Sequence, residues 1–317
     1  MPRSPKRILI TGASGCIGHY IVEALMQKTP HELFLLLRNP SKLLLKLENY
    51  PQVQVLEGDL RDIDRFSDLL STVDVAILTA AAWGDPQVTY EVNVTQTLRL
   101  MELLDPDRCQ QVIYFSTASI LDKDNQPLKA AHEIGTDYIR SKYICHEKLR
   151  ELAIAPKITT VFPTLVFGGD KDKPASHISG GLGEIAQWMK LIRFFKAEGS
   201  FHFIHAADIA RVVGYLVDHP PLAEQPREWV LGNSAMTADQ AIEEICQYLN
   251  QHVCLRLPLS LGLANVLISV FHIRMAEWDR FCLRYRHFVY QNPISPPVLG
   301  LESYCPTVTD LLEISGI

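Results

Sequence analysis

Two side chains in the middle of the chain have the types and the spacing for proton transfer. Tyr138 and Lys142 stand four residues apart in Tyr138-Ile-Arg-Ser-Lys142, a separation that puts both on one face of a helix. A free phenol titrates near about 10 and is a poor acid or base at neutral pH. A cation beside it stabilises the phenolate and draws the titration toward the working range. Thr117 lies 21 residues upstream of Tyr138, in Tyr114-Phe-Ser-Thr-Ala-Ser119, and a hydroxyl presented from a strand end can hold a substrate oxygen. A Tyr-x-x-x-Lys spacing alone is common in helices. Its weight comes from what precedes it.

What precedes it is Ile8-Leu-Ile10, followed by Thr11-Gly12-Ala-Ser14-Gly15-Cys16-Ile17-Gly18 and a helical pattern. Gly12 allows a tight turn, Gly15 lets a pyrophosphate approach the backbone, and Gly18 lets the helix pack close to the strand. The helix start offers free N–H groups and the positive end of its dipole. The spacing is GxxGxxG rather than GxGxxG, and Gly12, Ser14, Gly15, Cys16, Ile17 and Gly18 are expected to contact a dinucleotide. The second strand runs out at Leu35-Leu-Leu37-Arg38. An NAD site usually carries a carboxylate there for the ribose hydroxyls. Arg38, with Lys42 one helical turn on, instead suits the 2′-phosphate of NADP(H), so NADP(H) is the preferred cofactor and NAD(H) the second option. Asp59, in Gly58-Asp59-Leu60, either hydrogen-bonds an adenine amine or caps a turn.

The elements that must position these residues alternate. Strands are expected at 8–10, 33–37, 53–56, 73–82, 112–116 and 158–162, and helices at 16–27, 64–70, 93–104 and 137–153. Alternation of this kind implies parallel pairing with right-handed crossovers. The fold class is therefore an α/β, doubly wound parallel (Rossmann) sheet with its ligand at the carboxyl ends of the strands. The dinucleotide-binding domain is expected over 1–165, with 201–233 rejoining it. A smaller, mostly helical substrate domain is expected over 166–200 and 234–317. Thr237 reads as a helix cap, with an apolar stripe through Ile242, Ile245 and Leu249.

Composition narrows the classes. The 317 residues are 47% hydrophobic and 21% charged with a net charge of −6, which fits a folded domain and argues against a nucleic-acid binder. Seven scattered cysteines without a CxxC pair point to no disulfide framework, no metal site and a reduced, cytoplasmic setting. No metal-ligand spacing appears among the 11 histidines. Residues 257–273 hold no Asp, Glu, Lys or Arg; at 17 residues they read as a buried or surface-docking helix rather than a membrane span. Residues 274–290 mix five basic or histidine side chains with aromatics, as either a peripheral membrane contact or a solvated helix face.

In these pieces the chain resembles an extended short-chain dehydrogenase/reductase, the group of NAD(P)-dependent epimerases and dehydratases. The matching stretches are TGASGCIG at 11–18, GDL at 58–60, TAAA at 79–82, NVTQT at 93–97, YFSTAS at 114–119, YIRSK at 138–142, FPTLVFGG at 162–169 and FIHAADIA at 203–210. The resemblance implies that Tyr138 is the proton donor or acceptor, that Lys142 lowers its pKa and binds the nicotinamide ribose, and that Thr117 orients the substrate oxygen. It implies that Asp59, Leu60, Ala80, Ala81 and Ala82 line the cofactor and that Pro163 and Thr164 meet the nicotinamide amide. Asn93 joins the catalytic set on the same ground, although Gln96 replaces the usual glycine of that segment. A homodimer built on the helices around 93–104 and 137–153 is implied as well.

The residues around the site bear on the reaction. Family dehydratases carry Asp-Glu after the catalytic threonine, where this chain has Ala118-Ser119. Phe162, Phe167 and Leu121-Asp122 replace residues usual in sugar-nucleotide enzymes, which makes the site more apolar. Trp188, Phe194, Phe195, Phe201 and Phe203 form either an apolar pocket or ordinary core. His177, His202 and His205 either reach the site or are structural. The leading expectation is an NADP(H)-dependent oxidoreductase acting on a carbonyl or secondary alcohol of an apolar small molecule. The alternatives are a nucleotide-sugar epimerase with tightly held NAD, and a non-catalytic NADP(H)-binding sensor or assembly protein.

Overall fold

The computed structural model describes residues 4–253, 256–270, 272 and 274–317, without the side chains at 264, 266, 267, 269 and 270. Seven strands form one sheet: β1 (Arg7–Thr11), β2 (Glu32–Leu37), β3 (Val53–Glu57), β4 (Val75–Leu78), β5 (Gln111–Phe115), β6 (Ile158–Pro163) and β7 (Glu228–Leu231). They pair in parallel in the order β7-β6-β5-β4-β1-β2-β3. The order reverses between β1 and β4, and that switch point opens a crevice at the carboxyl ends of both strands.

The strands are apolar throughout because helices cover both faces. Ile8, Ile10, Leu33, Leu35, Leu37, Val75 and Ile77 point to one side. They pack there with α1 (Cys16–Lys28) and the helix Ala206–Asp218. Leu9, Phe34, Leu36, Ala76, Leu78, Val112 and Tyr114 point to the other, under the segment 60–104 and Cys145 and Leu149. Edge strand β3 leaves Val55 exposed. A buried leucine or isoleucine contributes about 1.5–3 kcal/mol relative to exposure, so this two-sided core dominates the stability of the sheet.

Several boundaries differ from the sequence expectation. The fourth strand spans only Val75–Leu78, because Thr79 already turns: its hydroxyl donates to the Thr11 carbonyl (2.7 Å). The helix expected from 93 starts earlier, at Pro86, since Asp85 accepts from the N–H groups of Gln87 and Val88 (2.9 Å each) and Pro86 takes the first helical position. It continues as a π-helical stretch, Glu91–Gln96, into α2 (Thr97–Leu103). The helix expected over 64–70 is α-helical only over Ser67–Leu70; its start belongs to a 3-10 segment, Leu60–Phe66. Helix α3 (Asp137–Lys148) stops short of 153 and ends in a 3-10 turn, Leu149–Glu151.

Outside the sheet the pieces are short. Leu165–Phe167 pairs with Phe203–His205, and Ser200–Phe201 lies between Met236–Thr237 and His287–Phe288. Helices Leu182–Ile192, Ala238–Tyr248 and Val308–Ser315 gather around Phe167, Leu182, Phe203, Leu311 and Leu312. Thr237 caps its helix with the reciprocal bond to Gln240. The aromatic group of the second half divides. Phe203 is buried core with Phe201 packed on it, while Trp188 and Phe194 face outward. It therefore forms no single apolar pocket. No helix among the described residues is long and apolar enough to cross a membrane. Part of 257–273 lies outside the described residues; Leu261–Val270 within it is helical.

Candidate active site

The glycine turn closes between β1 and α1 at the crevice. Gly12 sits at φ +73°, and a Cβ there would lie 2.6 Å from the Ala80 nitrogen and the Thr79 hydroxyl. A Cβ on Gly18 would overlap the Gly12 carbonyl. Both positions thus require glycine for close approach rather than for flexibility. At Gly15 no side chain caps α1, and its first turn holds no acidic residue. Its leading N–H groups remain available to an anion, and the cradle fits a dinucleotide diphosphate. Ser14 is half-buried in the turn, whereas Cys16 and Ile17 pack against the core. Burial, with Asp170 nearby, pushes the Cys16 thiol up to about 12, so it is no nucleophile at neutral pH.

Arg38 follows β2 and is exposed, as is Lys42 in the turn Pro40–Lys42. Asp59 follows β3. It caps the 3-10 segment through the Arg61 N–H (2.9 Å) and binds the Arg61 guanidinium (3.1 and 3.0 Å). Arg61, and more weakly Arg38, holds its carboxyl below the usual range. The capping role is therefore present in the fold, and Leu60 beside it is core. Ala80, Ala81 and Ala82 follow β4, each half-buried. Pro163 ends β6, and the Thr164 hydroxyl donates to the Leu231 carbonyl (2.9 Å), tying the β6 and β7 ends together. These positions share the carboxyl edge of the sheet.

Thr136 caps α3 through the Ile139 N–H (3.3 Å), and α3 brings Tyr138 to that same edge. Tyr138 packs against the buried cluster that includes Ala118, Ile120 and Ile139, and Ala118 and Ile120 belong to the turn that follows Thr117. Thr117 is half-buried, and its hydroxyl lies 3.3 Å from that of Ser119. Lys142 is 2% exposed; its ammonium donates to the Phe115 carbonyl (2.7 Å) and lies 6.0 Å from the Tyr138 ring centre. Burial pushes the lysine down to about 8 and the Tyr138 phenol above its ordinary value. Here desolvation outweighs the stabilising effect of Lys142 expected from the spacing.

Asn93 is fully buried in the π-helical stretch. Its amide oxygen accepts from the Ala82 N–H (2.7 Å), and its nitrogen donates to the Ala82 carbonyl and the Ser141 hydroxyl (3.0 Å each). Ser141 in turn donates to the Tyr138 carbonyl (2.7 Å). Asn93 thus ties the Ala80–Ala82 loop to the helix of Tyr138. The wide π turn frees the Val92 carbonyl, which accepts from the Thr97 hydroxyl (2.8 Å).

Sequence reasoning passed over Trp83. Its indole lies flat on the Tyr138 ring, 3.7 Å between centroids and 10° between planes, and the His177 ring lies nearly parallel at 6.5 Å. The other two histidines are structural. His202 lies within hydrogen-bond distance of the Asn233 carbonyl (2.7 Å) and accepts from the Tyr290 N–H (3.1 Å). His205 caps the helix Ala206–Asp218, and burial pushes it down to about 4.

A parallel sheet that reverses its order beside a glycine turn, with a Tyr and a Lys on one helix at the crevice, defines a dinucleotide-binding Rossmann protein of the extended short-chain dehydrogenase/reductase type. The chain belongs to the NAD dependent epimerase/dehydratase family, whose model matches residues 8–232, and its cofactor class is NAD(P). It is 31% identical over 129 residues to an uncharacterized membrane protein, MJ1061, of Methanocaldococcus jannaschii (38% of each chain). It is 24% identical over 204 residues to the human UDP-glucose 4-epimerase, covering 57% of this chain and 58% of that one. The chain thus matches well under two thirds of the length of these relatives. Among solved structures, the Bordetella bronchiseptica enzyme WbmG in complex with NAD and UDP superimposes with a TM-score of 0.66 at 13% identity, over 99% of this chain and 94% of that one.

Proposed function

We propose that the protein is an NADP(H)-dependent oxidoreductase acting on a carbonyl or secondary alcohol of an apolar small molecule. When bound, the nicotinamide supplies or takes up the hydride. Tyr138 gives its phenolic proton to the carbonyl oxygen in reduction and takes it back in oxidation. Lys142 presents the one buried ammonium beside the phenol and would meet the nicotinamide ribose, while Thr117 holds the substrate oxygen. The observation that carries this reading is the Tyr138–Lys142 pair on α3 at the carboxyl edge, with a glycine turn at the same edge whose Gly12 and Gly18 admit no Cβ. The NADP(H) preference rests on exposed Arg38, which follows β2 at the position where an NAD site usually carries a carboxylate. Pro163 and Thr164, at the carboxyl end of β6, are the residues proposed to meet the nicotinamide amide.

A second reading is a nucleotide-sugar epimerase that keeps its NAD, favoured by relatives and structural neighbours named for that chemistry. We keep the division into a dinucleotide domain and a substrate domain, a homodimer on α2 and α3, and a cytoplasmic setting as parts of the proposal. A peripheral membrane contact by 274–290 stands as a proposal on its charge pattern alone.

The test is a fluorescence titration of cofactor-free protein with NADPH and NADH, followed by turnover of lipophilic ketones. Tight NADPH, weak NADH and loss of most turnover in Tyr138→Phe with cofactor binding kept are the expected results. NAD that travels with the purified protein overturns the reading in favour of epimerisation. Identical behaviour of wild type and Tyr138→Phe in every assay favours a sensor without chemistry.

A further inference from the structure

The stripe of α3 that carries Tyr138 and Lys142 continues through Cys145 to Leu149. Cys145 and Leu149 pack on the side of β5 that shows Val112 and Tyr114, while Ile113 and Phe115 point to the opposite core. A lysine between Tyr138 and Cys145 on that stripe must therefore meet β5 at position 114. The Lys142 ammonium lies over the Tyr114 ring, 4.9 Å from its centre, nearer than the 6.0 Å to the Tyr138 ring. Tyr114 is fully buried, and its hydroxyl has only the Cys145 thiol beside it. What it offers Lys142 is its ring face. The ammonium is short of other partners. It donates to the Phe115 carbonyl (2.7 Å) and pairs with no carboxylate among the described residues. The titratable groups that face it are Tyr114 from β5 and Tyr138 and Cys145 from α3. Burial raises all three, so each is neutral in the working range and none supplies a negative charge. The segment 86–96 and the elements Ala118–Ile120 and Lys129–Glu133 also pack on α3, and no charged side chain of theirs acts on Lys142.

We propose that Tyr114 is a positioning residue for the reaction: its ring face holds the Lys142 ammonium against β5 and keeps it charged, so that Tyr114 sets the upper pH limit of turnover. The proposal deepens the reading of Tyr138 and Lys142 as the acid–base pair and rests on it. An aromatic face attracts a cation through the ring quadrupole, and the attraction is strongest where water is excluded. At such a site it favours the charged form about thirtyfold, which is about 1.5 pH units on the titration of the lysine. Burial alone already pushes Lys142 down to about 8. Without the ring face it would lose its charge below about pH 7, and with it the cation beside the phenol.

The experiment follows the titration of Lys142 by NMR of protein labelled at lysine Cε, with the signal identified by its loss in Lys142→Met. It compares wild type, Tyr114→Phe, Tyr114→Leu, and protein carrying phenylalanine with two or three ring fluorines at position 114. Fluorine keeps the shape of the ring and strips its face of negative potential. The midpoint is expected to stay in place in Tyr114→Phe, to fall stepwise with added fluorine, and to fall by about 1.5 units in Tyr114→Leu. The fluorinated proteins decide the matter where Tyr114→Leu does not fold. The alkaline limb of ketone reduction with NADPH is expected to move with the midpoint. A midpoint unmoved by fluorine, or lowered as much in Tyr114→Phe as in Tyr114→Leu, overturns the proposal, as does a midpoint that moves while the limb stays. The midpoint is read without turnover, which separates the two levels. Midpoints that move as expected in protein that reduces no ketone sink the oxidoreductase reading and leave the hold of Tyr114 on Lys142 standing. Tyr138-dependent reduction with an unmoved midpoint does the reverse.

Discussion

Replacing Asn93 by alanine removes three hydrogen bonds at a fully buried position. Each is worth a net of about 0.5–1.5 kcal/mol. The two to Ala82 count toward the low end because that loop is half-buried and water can reach it. Adding the void left by the side chain gives about 2–4 kcal/mol in all. Against a global stability of about 5–15 kcal/mol, the variant folds but melts several degrees lower. The effect on turnover is expected to be larger than stability alone explains. Once the Ala82 peptide is untied from Ser141, the loop and Tyr138 no longer share one frame, and a displacement of about 1 Å at the acid–base costs about a hundredfold. Urea denaturation followed by tryptophan fluorescence gives the first number, and turnover at a temperature where the variant is fully folded gives the second. Asn93→Leu fills about the same volume without donor or acceptor and separates the void from the hydrogen bonds. Unchanged stability in Asn93→Ala, or lost stability with full turnover, would refute the role of Asn93 as a tie between loop and helix.

Other expectations follow from the same geometry. Gly18→Ala drives a Cβ into the Gly12 carbonyl and within 2.7 Å of the Ala13 Cα; α1 must move off β1, and NADPH affinity should fall at least about tenfold in the titration. Arg38→Asp should cost NADPH about ten- to a hundredfold while leaving NADH within a few-fold, since it replaces a charge-assisted bond by repulsion. Lys142, pushed down to about 8 by burial, loses its charge as pH rises through that value. Ketone reduction should therefore decline on a limb near pH 8, and Lys142→Met should lack that limb at a lower overall rate. His205 is held neutral by burial, with a pKa near 4, whereas the unfolded chain takes up that proton below about 6.5. The unfolded state then binds more protons between the two values, so stability falls as pH drops through this window. His205→Asn should make the urea midpoint less sensitive to pH between 6.5 and 4.

The parts legible in the sequence were those with a short-range cause. Strands such as Ile8-Leu-Ile10 and Leu33 to Leu37 announce themselves because burial on both faces forces unbroken apolar runs. The glycine turn is legible because contact distances at Gly12 and Gly18 leave no alternative residue. Less legible were features set by partners far along the chain. Nothing local to Asn93 shows that its amide is spent on Ala82 and Ser141. Nothing local to Trp83 shows that its plane will lie on a tyrosine 55 residues later. The early helix start did have a signal, Asp85-Pro86, that the apolar pattern alone does not weigh. His202 and His205 carried no mark to distinguish a backbone-bonded ring from a reacting one. The aromatics from 188 to 203 divided between core and surface because Phe203 sits on a strand paired with Leu165–Phe167, while Trp188 stands on the outer side of its helix.

The π-helical stretch Glu91–Gln96 has a consequence for how such a site can be gained or lost. Its turns are wider than those of the α-helical segments on either side, by one residue in the hydrogen-bonded ring. Deleting one residue there would let the whole run from Pro86 to Leu103 relax into a continuous α-helix. The downstream stripe of Leu100 and Met101 would keep its seat in the core, and the upstream turn would swing by about 100°, carrying position 93 away from Ala82. The fold would tolerate the change and the site would not. Conversely, a chain of this architecture with a regular helix here cannot acquire the tie by exchanging one amino acid for asparagine. It needs an inserted residue, so chains with and without this arrangement are separated by a change of length rather than of letter.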